Sequence, residues 1–295
     1  MSFIALSMVS VANEMTAAKP MAKTPLEAES PYELRVDLGK DVPEADVKAA
    51  MASGEVGFLH SFTTGSTVDG PGVRLVAWAA ACMFRCRFCH NPDTWTMSNG
   101  IPVPLTRAIG ELRKYAHALK VMHGGLTLSG GEPLMQNRFA VKLFRAAKGL
   151  KIHTAIETNG YLGSKLSDEE LDLIDLVILD MKAFELEQHK RVTGIGNVPV
   201  LAFAERLAER KRPMWLRYVL VPGLMDDPGE MRRVARFGAS LGVVQRAEIL
   251  PFHQMGRYKW KRLGIDYTLD NTEPASEAAV DAAAAIFREA GLTVH

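Results

Sequence analysis

From about residue 57 onward, apolar positions along this chain follow two alternating rhythms. Short runs rich in aliphatic residues fall at 73–79, 126–129, 153–157, 176–180, 215–221 and 247–251, and read as buried strands. Between them the apolar residues recur at helical spacing. Leu105, Ile109, Leu112, Ala116 and Leu119 mark one helix, with Thr106 as its candidate cap, and Phe139, Leu143 and Ala147 mark the next. Ser167 to Glu170 spells a capping box that opens another. Helices over 201–209, 228–241 and 275–290 complete the set, the last stopped by Gly291. Six strand-then-helix units in succession predict a parallel sheet with right-handed crossovers.

Either an open sheet or a barrel fits that alternation, and the unusual residues choose between them. Ser129-Gly130-Gly131-Glu132, Glu157-Thr158-Asn159-Gly160, Asp180-Met181-Lys182, Val221-Pro222-Gly223 and Pro251-Phe252-His253 each stand where a strand ends. Active sites of barrel enzymes are built on that rim. Five such ends are hard to place in one crevice of a flat sheet. The expected fold class is therefore α/β, a partial (β/α)6 TIM-like barrel with one open side.

Composition changes this picture little. Hydrophobic residues make up 47% and charged residues 23%, and the net charge of +1 gives no reason to expect a nucleic-acid or membrane partner. Basic clusters at 210–212, 232–233 and 259–262 read as solvated faces. Residues 3–12 are apolar, but no basic residue precedes Lys19, as a secretory signal would require. Residues 1–55 are expected to form a disordered extension, and 56–295 the single folded domain.

All three cysteines, Cys82, Cys86 and Cys89, lie in one short segment directly after the first predicted strand. An odd, clustered set is a poor disulfide framework and suits a metal centre in a reducing cytoplasm. Soft thiolates at this spacing can hold three corners of an iron–sulfur cubane, leaving one iron open to a ligand. The alternative is zinc held by the three cysteines and His90. Zinc sites usually pair two short knuckles, and no second knuckle is present.

The segment CMFRCRFCHNPDTW resembles the cysteine loop of the radical S-adenosylmethionine (SAM) superfamily. With HSFTTGSTVDGPGVR, TLSGGEPL, ETNG, LVILDMK, WLRYVLVPG and LPFHQMGRYKW, the chain is similar more narrowly to the pyruvate formate-lyase activating enzymes. These oxidoreductases are activases of glycyl-radical enzymes. The resemblance implies a [4Fe–4S] cluster on Cys82, Cys86 and Cys89, with SAM on the open iron. Gly130, Gly131 and Glu132 would bind SAM, as would Asp180, Met181, Lys182 and His253. Phe88, Cys89 and His90 would lie against its adenine and ribose. Glu157 and Thr158 match a position that helps hold a monovalent cation beside the SAM carboxylate, where the family usually has Asp. Ile178 stands where a Met is found.

By the same resemblance, Asp69 would touch the backbone of the partner's glycine loop, and residues 253–260 would belong to a docking rim. The implied partners are pyruvate formate-lyase and a reduced flavodoxin or ferredoxin, acting on a monomer. Activases with auxiliary clusters carry further cysteines, and this chain has none to spare. The alternative is a radical SAM enzyme acting on another glycyl-radical enzyme or on a small molecule.

Overall fold

The computed structural model describes residues 47–295 and the short strand Leu34–Arg35; the rest of the extension expected over 1–55 lies outside the described residues. The strands are β1 (Leu34–Arg35), β2 (Val56–Ser66), β3 (Arg74–Ala79), β4 (Ile101–Pro104), β5 (Gly125–Gly130), β6 (His153–Thr158), β7 (Leu176–Asp180), β8 (Met214–Leu220) and β9 (Val244–Pro251). The helices are α1 (Val47–Ser53), α2 (Leu105–Val121), α3 (Asn137–Gly149), α4 (Asp168–Leu171), α5 (Leu186–Thr193), α6 (Val198–Glu209), α7 (Pro228–Ser240), α8 (Arg257–Leu263) and α9 (Glu277–Glu289).

The six apolar runs become β3, β5, β6, β7, β8 and β9, paired in parallel in that order. Ala247 on β9 makes a parallel bridge to Val294, and among the described residues β9 does not pair back to the first strands, so the barrel stays open. On the other edge β2 runs antiparallel to β3 and itself carries β1 and β4. The hydropathy pattern misses β2, because its register shifts twice against β3 and its buried positions do not alternate. Part of the expected extension is ordered: the Ala52 carbonyl of α1 accepts from Arg138 Nη1 of α3 at 2.6 Å. Thr106 does not cap α2; Pro104 takes the cap position, with no side-chain hydrogen bond. The capping box at Ser167 and Glu170 forms, but it opens a helix of a single turn.

Alternation along each strand divides the sheet into two faces. Ile156, Leu179, Leu216 and Ile249 belong to the large core shared with the helices, where Phe144 and Phe287 are fully buried. The opposite face lines the barrel. Ala155, Leu176, Ile178 and Trp215 form a separate apolar layer there. Toward the C-terminal strand ends, Ser129, Glu157, Asp180, Arg217 and Glu248 continue the same inward positions as a polar layer. Near the N-terminal end, buried Arg74 donates to Thr127 Oγ1 at 2.9 Å, the Leu126 carbonyl at 2.6 Å and the Pro71 carbonyl at 3.1 Å. It thereby anchors the loop between β2 and β3.

Candidate active site

The cysteine loop leaves β3 through Ala81, which adopts φ 78°, a left-handed conformation that costs a non-glycine residue about 1–2 kcal/mol. Hydrogen bonds on both sides fix it there. Its amide donates to the Thr94 carbonyl at 2.7 Å, and its carbonyl accepts from Glu132 N at 2.8 Å. Further along, Arg85 N and Arg87 N donate to the carbonyls of Thr193 and Val192, at the end of α5. Trp260 of α8 donates from Nε1 to the Cys89 carbonyl at 2.9 Å. Asn159, after β6, reaches Met83 Sδ at 3.5 Å and Cys82 Sγ at 3.8 Å. The loop is thus held from β5, β6, α5 and α8 at once.

Burial pushes the Cys82 thiol up to about 12 and raises Cys86 and Cys89 as well. Burial raises any thiol in this way, and binding of a cluster would displace the protons. The donor set fits an iron–sulfur cluster: three soft sulfurs on one loop, one buried and two half-buried, on a backbone fixed in advance. Zinc fits less well, because the three cysteines and His90 do not gather around one point. The His90 ring packs edge-on against His253, with centroids 5.0 Å apart. Among the described residues, no three His, Cys, Asp or Glu side chains gather to hold a single ion.

Gly130 and Gly131 are glycines because two strand ends meet there. A Cβ on Gly130, whose φ is 116°, would stand 2.3 Å from the Ala79 carbonyl oxygen; one on Gly131 would stand 2.4 Å from that of Ala81. Glu132, expected to face SAM with its carboxylate, does not. It is fully buried and accepts from Leu134 N at 3.0 Å, Asn159 N at 2.9 Å and Thr158 Oγ1 at 2.8 Å. Burial pushes it up to about 7. Its side chain bolts the ends of β5 and β6 together.

Asp180 and Lys182 do come together at the end of β7, with Oδ2 and Nζ 3.2 Å apart. The ammonium also lies 5.1 Å from the centroid of the Phe88 ring in the cysteine loop. Burial alone would lower Lys182, but the Asp180 carboxylate outweighs it and raises the group, so the ammonium stays charged. Met181 between them is fully buried in the outer core, so only its backbone is available to the rim. His253 caps the turn before α8, accepting weakly from Met255 N at 3.4 Å.

Glu157 and Thr158 part company. Glu157 is ion-paired with Arg217 and accepts from Ser129 Oγ at 2.5 Å, inside the barrel. Thr158 turns to the other face and donates to Glu132. Asp69 is also drawn inward, 94% buried, with Oδ1 3.9 Å from Arg217 Nη1 and Oδ2 accepting from Ser66 Oγ at 2.5 Å. The sequence pattern gives no individual role to Arg217 or Glu248, and none to Asn159 beyond its place at a strand end or to Trp260 beyond the docking stretch. A charge inside the apolar run of β8 was the available signal, since a buried charge demands partners. Arg217 Nε donates to Glu248 Oε2 at 2.9 Å, and Nη2 to the Val68 carbonyl at 2.8 Å.

Comparison with known proteins agrees with this geometry. Residues 68–195, which include all three cysteines, match the family described as 4Fe-4S single cluster domain. The fold is similar to that of a radical SAM methyltransferase from Sphaerobacter thermophilus, with a TM-score of 0.55 over 86% of this chain and 81% of that one, at 15% identity. The pyruvate formate-lyase 1-activating enzyme of Escherichia coli K12 is 37% identical over 238 residues, 80% of this chain and 97% of its own length. The pyruvate formate-lyase-activating enzyme of Staphylococcus aureus USA300 is 41% identical over 234 residues, 77% of this chain and 93% of its own. Likeness at that level across nearly the full length of both relatives extends well beyond the cysteine loop, and the chain belongs to the pyruvate formate-lyase-activating enzyme family.

Proposed function

We propose that this chain activates pyruvate formate-lyase by generating a glycyl radical on it, with the chemistry carried by residues 56–295. The observation that supports this most directly is the meeting, on one rim, of a pinned three-cysteine loop, a glycine turn and the Asp180–Lys182 pair. When bound, the [4Fe–4S] cluster and SAM supply one-electron cleavage of the sulfonium to a 5′-deoxyadenosyl radical, which takes a hydrogen atom from the partner's glycine.

The protein's share is placement. Cys82, Cys86 and Cys89 hold the cluster. The backbone at Gly130 and Gly131 and the charges of Asp180 and Lys182 receive the polar groups of SAM. Phe88, His90 and His253 offer aromatic surface to its nucleoside end. Fixing these groups in advance removes the reorganisation that a mobile site would require. A reduced flavodoxin or ferredoxin supplies the electron, and the enzyme works as a monomer in a reducing cytoplasm. Among the described residues, no helix is long and apolar enough to cross a membrane.

The test is anaerobic reconstitution with iron and sulfide, then reduction with SAM and purified pyruvate formate-lyase under electron paramagnetic resonance. A glycyl-radical signal with stoichiometric deoxyadenosine is expected. Deoxyadenosine without that signal would exclude pyruvate formate-lyase as the partner.

A further inference from the structure

Asn159 directly follows β6, in a turn that Gly160 continues with φ 75°. It is buried, and each of its polar groups has a partner. The backbone amide donates to Glu132 Oε2 at 2.9 Å, and the side-chain oxygen accepts from Tyr161 N at 3.0 Å. That second bond decides which way the side-chain amide faces. Turned over, its NH2 would meet the N–H of Tyr161, donor against donor. Nδ2 is therefore held toward the cysteine loop, 3.5 Å from Met83 Sδ and 3.8 Å from Cys82 Sγ, with one N–H for each.

The residue it meets is also fixed. Cys82 N donates to the Trp95 carbonyl at 3.1 Å, and the Cys82 carbonyl accepts from Arg85 Nη1 at 2.7 Å. Thioethers and neutral thiols are weak acceptors, so a buried amide with both donors directed at sulfur makes two weak bonds. One of them strengthens when Cys82 becomes an iron-bound thiolate, because a charged acceptor roughly doubles such a bond. Hydrogen bonds to the ligand sulfurs are among the factors that set an iron–sulfur potential. Reduction adds negative charge there, so a donor fixed beside one sulfur stabilises the reduced form more than the oxidised one.

We propose that Asn159 tunes the cluster through Cys82: its N–H raises the reduction potential and brings the reduced state within reach of a low-potential one-electron carrier. One electron passes from the carrier to the cluster, and Asn159 keeps its protons throughout. Asn159 is a positioning residue, acting only through the Cys82 sulfur. The inference rests on the reading of Cys82, Cys86 and Cys89 as cluster ligands.

The experiment is a potentiometric titration of the reconstituted full chain without SAM, following the reduced cluster by electron paramagnetic resonance, with iron content measured alongside. Asn159→Ser keeps an oxygen for Tyr161 N but is too short to reach the sulfur. Asn159→Asp keeps the shape and puts a carboxylate oxygen where the donor was. At a fixed potential the reduced-to-oxidised ratio is expected to fall about tenfold in Asn159→Ser, a shift of about 59 mV to lower potential, with iron content unchanged. Asn159→Asp is expected to fall further. In either variant that keeps its iron, a ratio changed by less than about twofold, or moved the other way, would overturn the proposal. Loss of iron from both variants would overturn it too, since Asn159 would then serve assembly of the site and not its potential. Wild-type protein that takes up no iron would instead overturn the reading of the cysteines beneath it.

Discussion

Arg217→Met is the substitution with the most distinctive expected consequence. Arg217 is 7% exposed and carries the charge that opposes Glu157 and Glu248. Methionine keeps much of the length and apolar volume, so the change removes charge rather than packing. Taking one partner from a buried ion pair typically costs about 3–5 kcal/mol, since the remaining charge is left buried. The pH dependence makes the test sharper. In the wild type, burial alone would raise Glu157, but Arg217 and the Ser129 hydrogen bond outweigh it and hold the carboxyl below its ordinary value of 4.5. Its stabilising contribution is then fully present above about 4.5 and is lost only as pH falls through the lower folded value. In the variant the burial stays and the countercharge goes, so the folded carboxyl moves above 4.5. The folded state now holds a proton that the unfolded chain has released, and stability falls as pH rises, by up to about 1.4 kcal/mol per pH unit for each such carboxyl. The gap between wild type and variant should therefore widen as pH rises above about 4.5 in anaerobic urea unfolding. A gap below about 1 kcal/mol at neutral pH, or one that does not change with pH, would refute the reasoning.

Three further outcomes follow from the site. Cys86→Ala should yield folded protein lacking the iron and visible absorbance of the reconstituted wild type; full iron content would remove Cys86 from the ligand set. Gly131→Ala forces a Cβ to within 2.4 Å of the Ala81 oxygen and breaks the strand-end contacts there, so unfolding should become easier by about 2–4 kcal/mol. An unchanged denaturation midpoint would show that the turn relaxes freely. Asp180→Asn should weaken SAM binding about tenfold, about 1.4 kcal/mol, with iron content unchanged; equal affinity in a calorimetric titration would take the carboxylate out of the SAM site.

The six parallel strands were legible because strands buried on both faces read as continuous apolar runs. Leu176–Asp180 emerged with its predicted bounds, and the others within a few residues. The antiparallel edge was not legible. β2 mixes Gly57, His60, Ser61, Thr63 and Thr64 among its apolar residues, and two register irregularities break its period. It persists because tertiary contacts hold it: Gln136, before α3, accepts from Phe58 N at 2.6 Å and donates to the carbonyls of Phe58 and Ala80. Such a contact spans 78 residues of sequence, and no local pattern announces it.

The site divides along the same physical line. Ligands that act from one loop, the three cysteines, could be read from spacing alone. Residues that act across strands could be placed on the rim but not aimed. Glu157 and Thr158 are neighbours in sequence and matched one family position, yet a strand sends them to opposite faces, one to Arg217 and the other to Glu132. Glu132 carried a ligand-binding expectation because a carboxylate beside a glycine turn suits an ammonium; in the fold its oxygens are used by the protein. Arg217 went unremarked inside WLRYVLVPG, although a guanidinium in the middle of a buried strand must find partners on neighbouring strands. Reading that necessity forward would have paired Arg217 with an inward carboxylate before any coordinates. The partners it finds are Glu157 and Glu248, inward residues of β6 and β9 that lie 60 and 31 positions away in sequence, which is why no local pattern pairs them with it.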